Sequence, residues 1–144
     1  MKRVPSGVIV TSRPMPSMLS AAILLGGAGK DSLQGAKKRS ILVGGDDADR
    51  LVGNSEDDVL IGGIVRDQID LFRLVSVLET WNRTDKTYQQ RITLLGGPSG
   101  ISGLTIGEDG ESDTLIGNAG VDWYMVGDGD RTNGRSNSEV LTQL

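Results

Sequence analysis

The sequence predicts a mainly β chain assembled from short stacked repeats and interrupted by one helical segment, on three observations. Gly26, Gly35, Gly44, Gly53 and Gly62 stand nine residues apart, and the eighth position of each frame is Leu33, Leu42, Leu51, Leu60 and Ile69. Asp31, Asp49, Asp58 and Asp67 hold the sixth position, and only Ser40 breaks that column. A period of nine fits neither a helix nor a simple hairpin array, so it marks a repeat architecture. The third observation is a stretch near residues 68–95 where apolar residues change to helical spacing.

Composition narrows the chemistry. The chain has 144 residues, a net charge of −4, 21 glycines and no cysteine or histidine. Common zinc sites, Ser-His-Asp and Cys-His catalysis, and ligation of haem or iron–sulfur clusters by these residues are therefore excluded. The remaining ligands are oxygens, which suit Ca²⁺ or Mg²⁺. One Phe, two Trp and two Tyr exclude a large core anchored on aromatic rings. The longest apolar run, Ala21 to Leu25, is far short of the roughly 20 residues that span a bilayer.

Taken in order, residues 1–20 carry Lys2, Arg3, Arg13 and three of the four prolines, and are expected to be a poorly ordered lead-in. Met1-Lys2-Arg3 could begin a signal peptide, but Pro5, Arg13, Pro14 and Pro16 interrupt its apolar middle. Repeats are expected over 21–67, opening with the apolar strand Ile23-Leu24-Leu25, whose acidic slot holds Ala22. A helical insertion is expected over 68–97. Leu71, Leu74, Val75, Leu78 and Trp81 form its first stripe, with Asp67 or Asp70 placed to cap it. Tyr88, Ile92 and Leu95 form a second stripe after Thr84, and Gly96, Gly97 and Pro98 end it. Trp81, Tyr88 and Phe72 are expected to be packing residues. Degenerate repeats resume over 98–130, with Asp113 and Asp122 in the acidic slot and Leu115 and Tyr124 in the apolar one. Arg131 then occupies the acidic position, so the phase is expected to fail there and 131–144 to form a tail.

Written as nonapeptides, the first units are GGAGKDSLQ, GAKKRSILV, GGDDADRLV, GNSEDDVLI and GGIVRDQID. They resemble the haemolysin-type, or repeats-in-toxin, calcium-binding family, whose unit is G-G-x-G-x-D-x-U-x with U a large apolar residue. The first unit fits at every fixed position. The resemblance implies a parallel β-roll: six residues form a turn, three form a strand, and two units complete a coil. It implies calcium held between stacked turns by backbone carbonyls and carboxylates. The residues it marks are Gly26, Ala28, Lys30, Asp31, Gly44, Asp46, Ala48, Asp49, Asp58, Asp67, Asp113 and Asp122. It also implies a secreted, extracellular protein of bacterial type, a module that folds when calcium binds, and no catalysis by the repeats. Glu139 to Leu144 is compatible with the apolar export signal of some members. The alternatives are an extracellular interaction or adhesion module and a decayed repeat that needs no metal.

In such a roll, turns stack on one edge every second unit. Asp31, Asp49 and Asp67 are expected to share one edge and frame two sites. On the other edge Lys37, Lys38, Arg39 and Ser40 replace the glycines and Asp. That basic turn is expected to be neutralised by Glu56, Asp57 and Asp58, and to bind calcium weakly or not at all. Carboxylates stacked roughly 5 Å apart repel by about 1 kcal/mol in water and about 3 kcal/mol at an effective dielectric near 20. A divalent ion turns that repulsion into attraction.

Other motifs fail on their own terms. Gly27-Ala28-Gly29 lacks the last glycine of a dinucleotide loop, where Ser32 stands, and Gly29-Lys30 is followed by Asp31 rather than Ser or Thr. No acid is marked out by an apolar pocket that would prepare it for catalysis. An acidic balance with scattered bases argues against nucleic acid. Positions seven and nine of the even strands, Ile41, Val43, Val59 and Ile61, form an apolar face that needs a cover. The helical insertion is the expected cover, and self-association or a protein partner the alternative.

Overall fold

The computed structural model describes residues 8–10, 23–35, 37–65, 68–96 and 106–144. Strands β2 (Ile23–Gly27), β3 (Ser32–Gln34), β4 (Ile41–Gly45), β5 (Arg50–Asn54) and β6 (Val59–Ile61) follow the nine-residue phase. After β6 come β7 (Ile64–Val65), helices α1 (Gln68–Trp81) and α2 (Tyr88–Leu95), and β8 (Ile106–Gly107). The chain closes with β9 (Thr114–Asn118), β10 (Trp123–Val126), β11 (Arg131–Asn133) and β12 (Val140–Gln143). The strands alternate between two sheets. One runs β2-β4-β6-β10-β12 and the other β3-β5-β9-β11, every neighbour within them parallel and in register. This is a parallel β-roll.

Between the sheets the eighth-position residues form one apolar column: Leu24, Leu33, Leu42, Leu51, Leu60, Leu115 and Tyr124, joined by Val126. Each buried aliphatic side chain contributes about 2 kcal/mol through loss of contact with water. The outer face of the β3-side sheet is polar, with Ser32, Gln34 and Arg50 exposed. On the opposite face, Ile41, Val43, Val59 and Ile61 are at most 3% exposed. Leu74, Val77, Leu78 and Trp81 of α1 and Leu95 of α2 pack over them. The insertion therefore folds back on the even sheet, and the four residues offer no open surface to a second chain. Replacing two of them as Val43→Thr with Ile61→Thr buries two hydroxyls at about 1 kcal/mol each. The expected outcome is an unfolding free energy from chemical denaturation lowered by about 2 kcal/mol, with the association state in calcium unchanged by sedimentation.

Two expectations change. Within 1–20, Val8–Val10 form β1, which pairs antiparallel with β2 and covers its edge. Residues 131–144 are not a tail, because β11 and β12 add a further rung to each sheet. Thr87 caps α2: its side chain accepts from the Gln90 N–H while Gln90 accepts from the Thr87 N–H, a reciprocal cap. Asp67 lies outside the described residues. Among the described residues, no helix is long and apolar enough to cross a membrane.

Candidate metal centre

Each turn ends on its sixth residue, and that side chain reaches back one coil. Asp49 Oδ1 accepts from the Asp31 N–H at 2.7 Å, and Asp113 Oδ1 from the Asp49 N–H at 2.7 Å. Asp130 continues the series by accepting from the Asp113 N–H at 2.9 Å. The second edge repeats the device: Asp58 accepts from Ser40 N–H and Asp122 from Asp58 N–H, both at 2.7 Å, and Glu139 from Asp122 N–H at 3.1 Å. One oxygen of each carboxylate is thus spent on holding the stack.

The other oxygen is not. Asp31, Asp49, Asp58, Asp113 and Asp122 are each at most 7% exposed, and in all five the Oδ2 atom is buried without a hydrogen-bond partner. A buried carboxylate oxygen with no donor is costly. Each Oδ2 turns toward the glycine that opens its own turn. A methyl group on Gly26, Gly44, Gly53 or Gly62 would lie 3.0, 2.7, 2.7 or 2.9 Å from the Oδ2 of Asp31, Asp49, Asp58 or Asp113. Gly117 stands closer still to Asp122. Glycine at the first position therefore keeps room beside the free oxygen. The fourth position needs glycine for a different reason, a backbone with φ of +94° at Gly29 and +101° at Gly120. Asp47 and Glu56 adopt the same left-handed conformation in their turns.

Burial pushes the carboxyls of Asp49, Asp113 and Asp122 up to about 7 and that of Asp58 up to about 8. The accepted backbone N–H opposes the rise and neighbouring acids add to it. Asp130 is likewise raised by burial. These are groups short of positive charge. The last rung differs, since Asp130 Oδ2 accepts from Gly127 N–H at 2.7 Å and Glu139 Oε2 from Ser136 N–H. Both oxygens of those two acids are occupied, and they close the ladder by local turns.

Oxygens for a hard divalent cation are present in the five inner rungs, so the residues fit such an ion. Among the described residues no three acidic side chains converge as a ready cage. An ion here takes its remaining oxygens from the crowded backbone of the turns. On the first edge, turns 26–31 and 44–49 stack directly, with Asp46 N–H on Gly27 O at 2.8 Å and Gly29 N–H on Asp47 Oδ2 at 2.9 Å. Gly26, Ala28, Lys30, Asp31, Gly44, Asp46, Ala48 and Asp49 all lie on these two turns. The carboxylate stacked on Asp49 is Asp113. Gly62 and Gly63 open the third turn on this edge, the insertion leaves from it, and Asp113 completes it.

The basic turn of the second edge carries its own cations. Arg39 Nε lies 3.8 Å from Glu56 and 3.9 Å from Asp57. Arg91 of α2, 2% exposed, pairs with the same Asp57 carboxylate and stacks 4.5 Å over the Trp81 ring. Asp57 Oδ1 also accepts from Val121 N–H at 2.8 Å, and Trp81 Nε1 donates to Asp57 O at 2.7 Å. Arg39 Nη1 donates to Arg83 O at 3.1 Å. Burial and the neighbouring Arg91 lower the pKa of Arg39. Asp58 takes no part in this neutralisation, because its Oδ1 serves Ser40, so the Asp58–Asp122 pair belongs to the acidic ladder instead.

Sequence reasoning missed Asp130, Glu139 and Arg91. The first two lie 17 residues beyond their partners, where the first rung on each edge spans 18. A search tolerant of one missing turn residue would have found them. Arg91 carries no spacing signal. A scan against protein-family models matches residues 38–69 and 109–132, as four copies, to the RTX calcium-binding nonapeptide repeat. No curated protein matches the chain, and no solved structure does.

Proposed function

Because residues 38–69 and 109–132 match the RTX calcium-binding nonapeptide repeat, we propose that the chain is a calcium-dependent structural module of a secreted protein, whose roll is completed when Ca²⁺ enters between its turns. The observation that carries this is the row of five buried, partnerless Oδ2 atoms. Each is a buried carboxyl oxygen without a donor, placed to take a cation, and together they line both edges of the roll. Asp31, Asp49 and Asp113 would hold ions on the first edge, and Asp58 and Asp122 on the second. The role is binding and stabilisation rather than catalysis. Exposure to extracellular calcium, in the millimolar range typical of outside modules, would drive the acids to their charged, metal-bound form and the chain to its compact state.

Calcium should act where magnesium does not, since Mg²⁺ demands tight octahedral geometry and sheds water reluctantly. The test compares two variants at pH 8. Asp49→Asn keeps the oxygen that accepts from Asp31 N–H but removes the charge shared by both first-edge sites. Calcium affinity followed by circular dichroism should fall about 100-fold, the removal of one carboxylate from each of two sites. Ser40→Ala touches no such oxygen and should leave it unchanged. Equal responses to magnesium and calcium, or equal affinities in the two variants, would refute the reading.

A further inference from the structure

The third turn of the first edge is assembled from two pieces that are far apart in sequence. Gly45 N–H donates to Gly63 O at 3.0 Å, which places Gly62-Gly63 as the start of the turn stacked on 44–49. The turn's end is Asp113, whose Oδ1 accepts from Asp49 N–H, and Thr114 N–H donates to Asp49 O at 2.9 Å. That rung spans 64 residues, where the one before it spans 18. Everything between, including both helices, leaves and re-enters inside a single turn. Its base is closed by the antiparallel pair β7 and β8, with Ile64 opposite Gly107 and Val65 opposite Ile106.

The two pieces meet at a polar group in want of a partner. Asp113 is 0% exposed, its Oδ2 has no hydrogen-bond partner, and it points at Gly62, where a methyl group would lie 2.9 Å away. A carboxylate from the returning chain is thus aimed at the backbone of the departing chain. Asp109, on the returning side, also buries an Oδ2 without a partner. Asp130, Asp109 and Asp49 all add charge to the surroundings of Asp113. Residues 108–130 hold seven acids and no base to offset them. Neither half of this turn carries the complete repeat pattern. Gly62-Gly63 is followed by Ile64-Val65, and Asp113 is preceded by Glu108-Asp109 in the glycine positions.

We propose that these two half-turns form one composite calcium site, ligated from both ends of the helical insertion, so that an ion bound there clasps the base of the insertion shut. This rests on the calcium reading of the ladder and adds to it a coupling. Closing a long loop costs entropy whether an ion or the β7–β8 pair closes it, and an ion that binds only the closed form stabilises that form by its binding free energy. By reciprocity, anything that opens the base weakens the ion.

The experiment is amide hydrogen exchange on the full chain at pH 8, in chelator and in saturating calcium. It follows segments 62–65 and 106–113 in the unaltered chain, in Asp113→Asn and in Asp31→Asn. Asn at 113 keeps the oxygen that accepts from Asp49 N–H, so the stack survives, and far-ultraviolet circular dichroism checks that it does. In the unaltered chain calcium should slow exchange at least 10-fold in both segments, although the first lies far upstream of Asp113. In Asp113→Asn the slowing should drop below 2-fold in both, whereas Asp31→Asn should retain it. The proposal is overturned if Asp113→Asn keeps calcium protection at 62–65, or if Asp31→Asn loses it equally. If calcium protects no segment of the unaltered chain, the calcium reading itself fails, and the composite site with it.

Discussion

In chelator the protein should lose stability as pH rises from 5.5 to 8.5, and calcium should restore it at the upper end. The cause is the set of carboxyls held near 7 at Asp49, Asp113 and Asp122 and near 8 at Asp58. In the unfolded chain these groups titrate near 3.9. The folded state therefore binds their protons more tightly, and the stabilisation is complete below about pH 4 and lost as pH passes 7 to 8. With about 1 kcal/mol for each of four groups after solvent screening, the loss is about 4 kcal/mol. At about 3 °C per kcal/mol in a chain of this size, the melting temperature should fall by roughly 12 °C. Calcium binds the deprotonated form, so it should reverse the loss at pH 8.5 and do little at pH 5.5. A melting temperature in chelator that rises across this window would contradict the assignment of these carboxyls as buried and uncompensated.

The second large effect concerns the edge that supplies its own cations. Asp57→Ala leaves the guanidinium of Arg91 buried without its partner, and leaves the Val121 N–H without its acceptor. Breaking a buried ion pair from one side costs about 3 to 5 kcal/mol. Stability in saturating calcium should fall by that amount, and the near-ultraviolet circular dichroism of Trp81, which stacks under Arg91 and 6.0 Å from Trp123, should weaken. Adding Arg91→Met to Asp57→Ala should recover part of the loss, because the stranded charge goes with it. Asp85→Ala provides the comparison. Its pair with Arg83 is fully open to water, and removing it should leave the denaturation midpoint within error. Equal effects at Asp57 and Asp85 would show that the Arg39–Asp57–Arg91 cluster is not a structural tie.

The strict nine-residue columns made the roll, its apolar column and the rungs at Asp31, Asp49 and Asp58 legible in the sequence, because each coil repeats the same local chemistry. The face of Ile41, Val43, Val59 and Ile61 was legible too, and so was its cover, since an amphipathic helical stripe and an apolar sheet face each need a partner. The third turn was not. A phase count treats GGIVRDQID and EDGESDTLI as two units, whereas the chain uses the front of one and the back of the other to build a single turn. Arg131 reads as a broken column only if every turn has six residues. With one residue removed, Asp130 takes the slot and Arg131 becomes the first strand residue, opposite Thr114. Arg91 meets Asp57 because α2 folds across the second edge, a contact of tertiary geometry with no trace in local spacing.

The central claim is that calcium enters beside the free oxygens of the inner rungs. The most direct measurement is a calcium titration at pH 8 followed by the side-chain carboxyl ¹³C resonances of the aspartates and glutamates. The account predicts that Asp31, Asp49, Asp58, Asp113 and Asp122 shift with calcium and not with equal magnesium. Asp130 and Glu139, whose two oxygens are both occupied, should move far less. Shifts confined to exposed acids such as Glu111 and Asp128, with the five inner carboxyls unmoved, would contradict it.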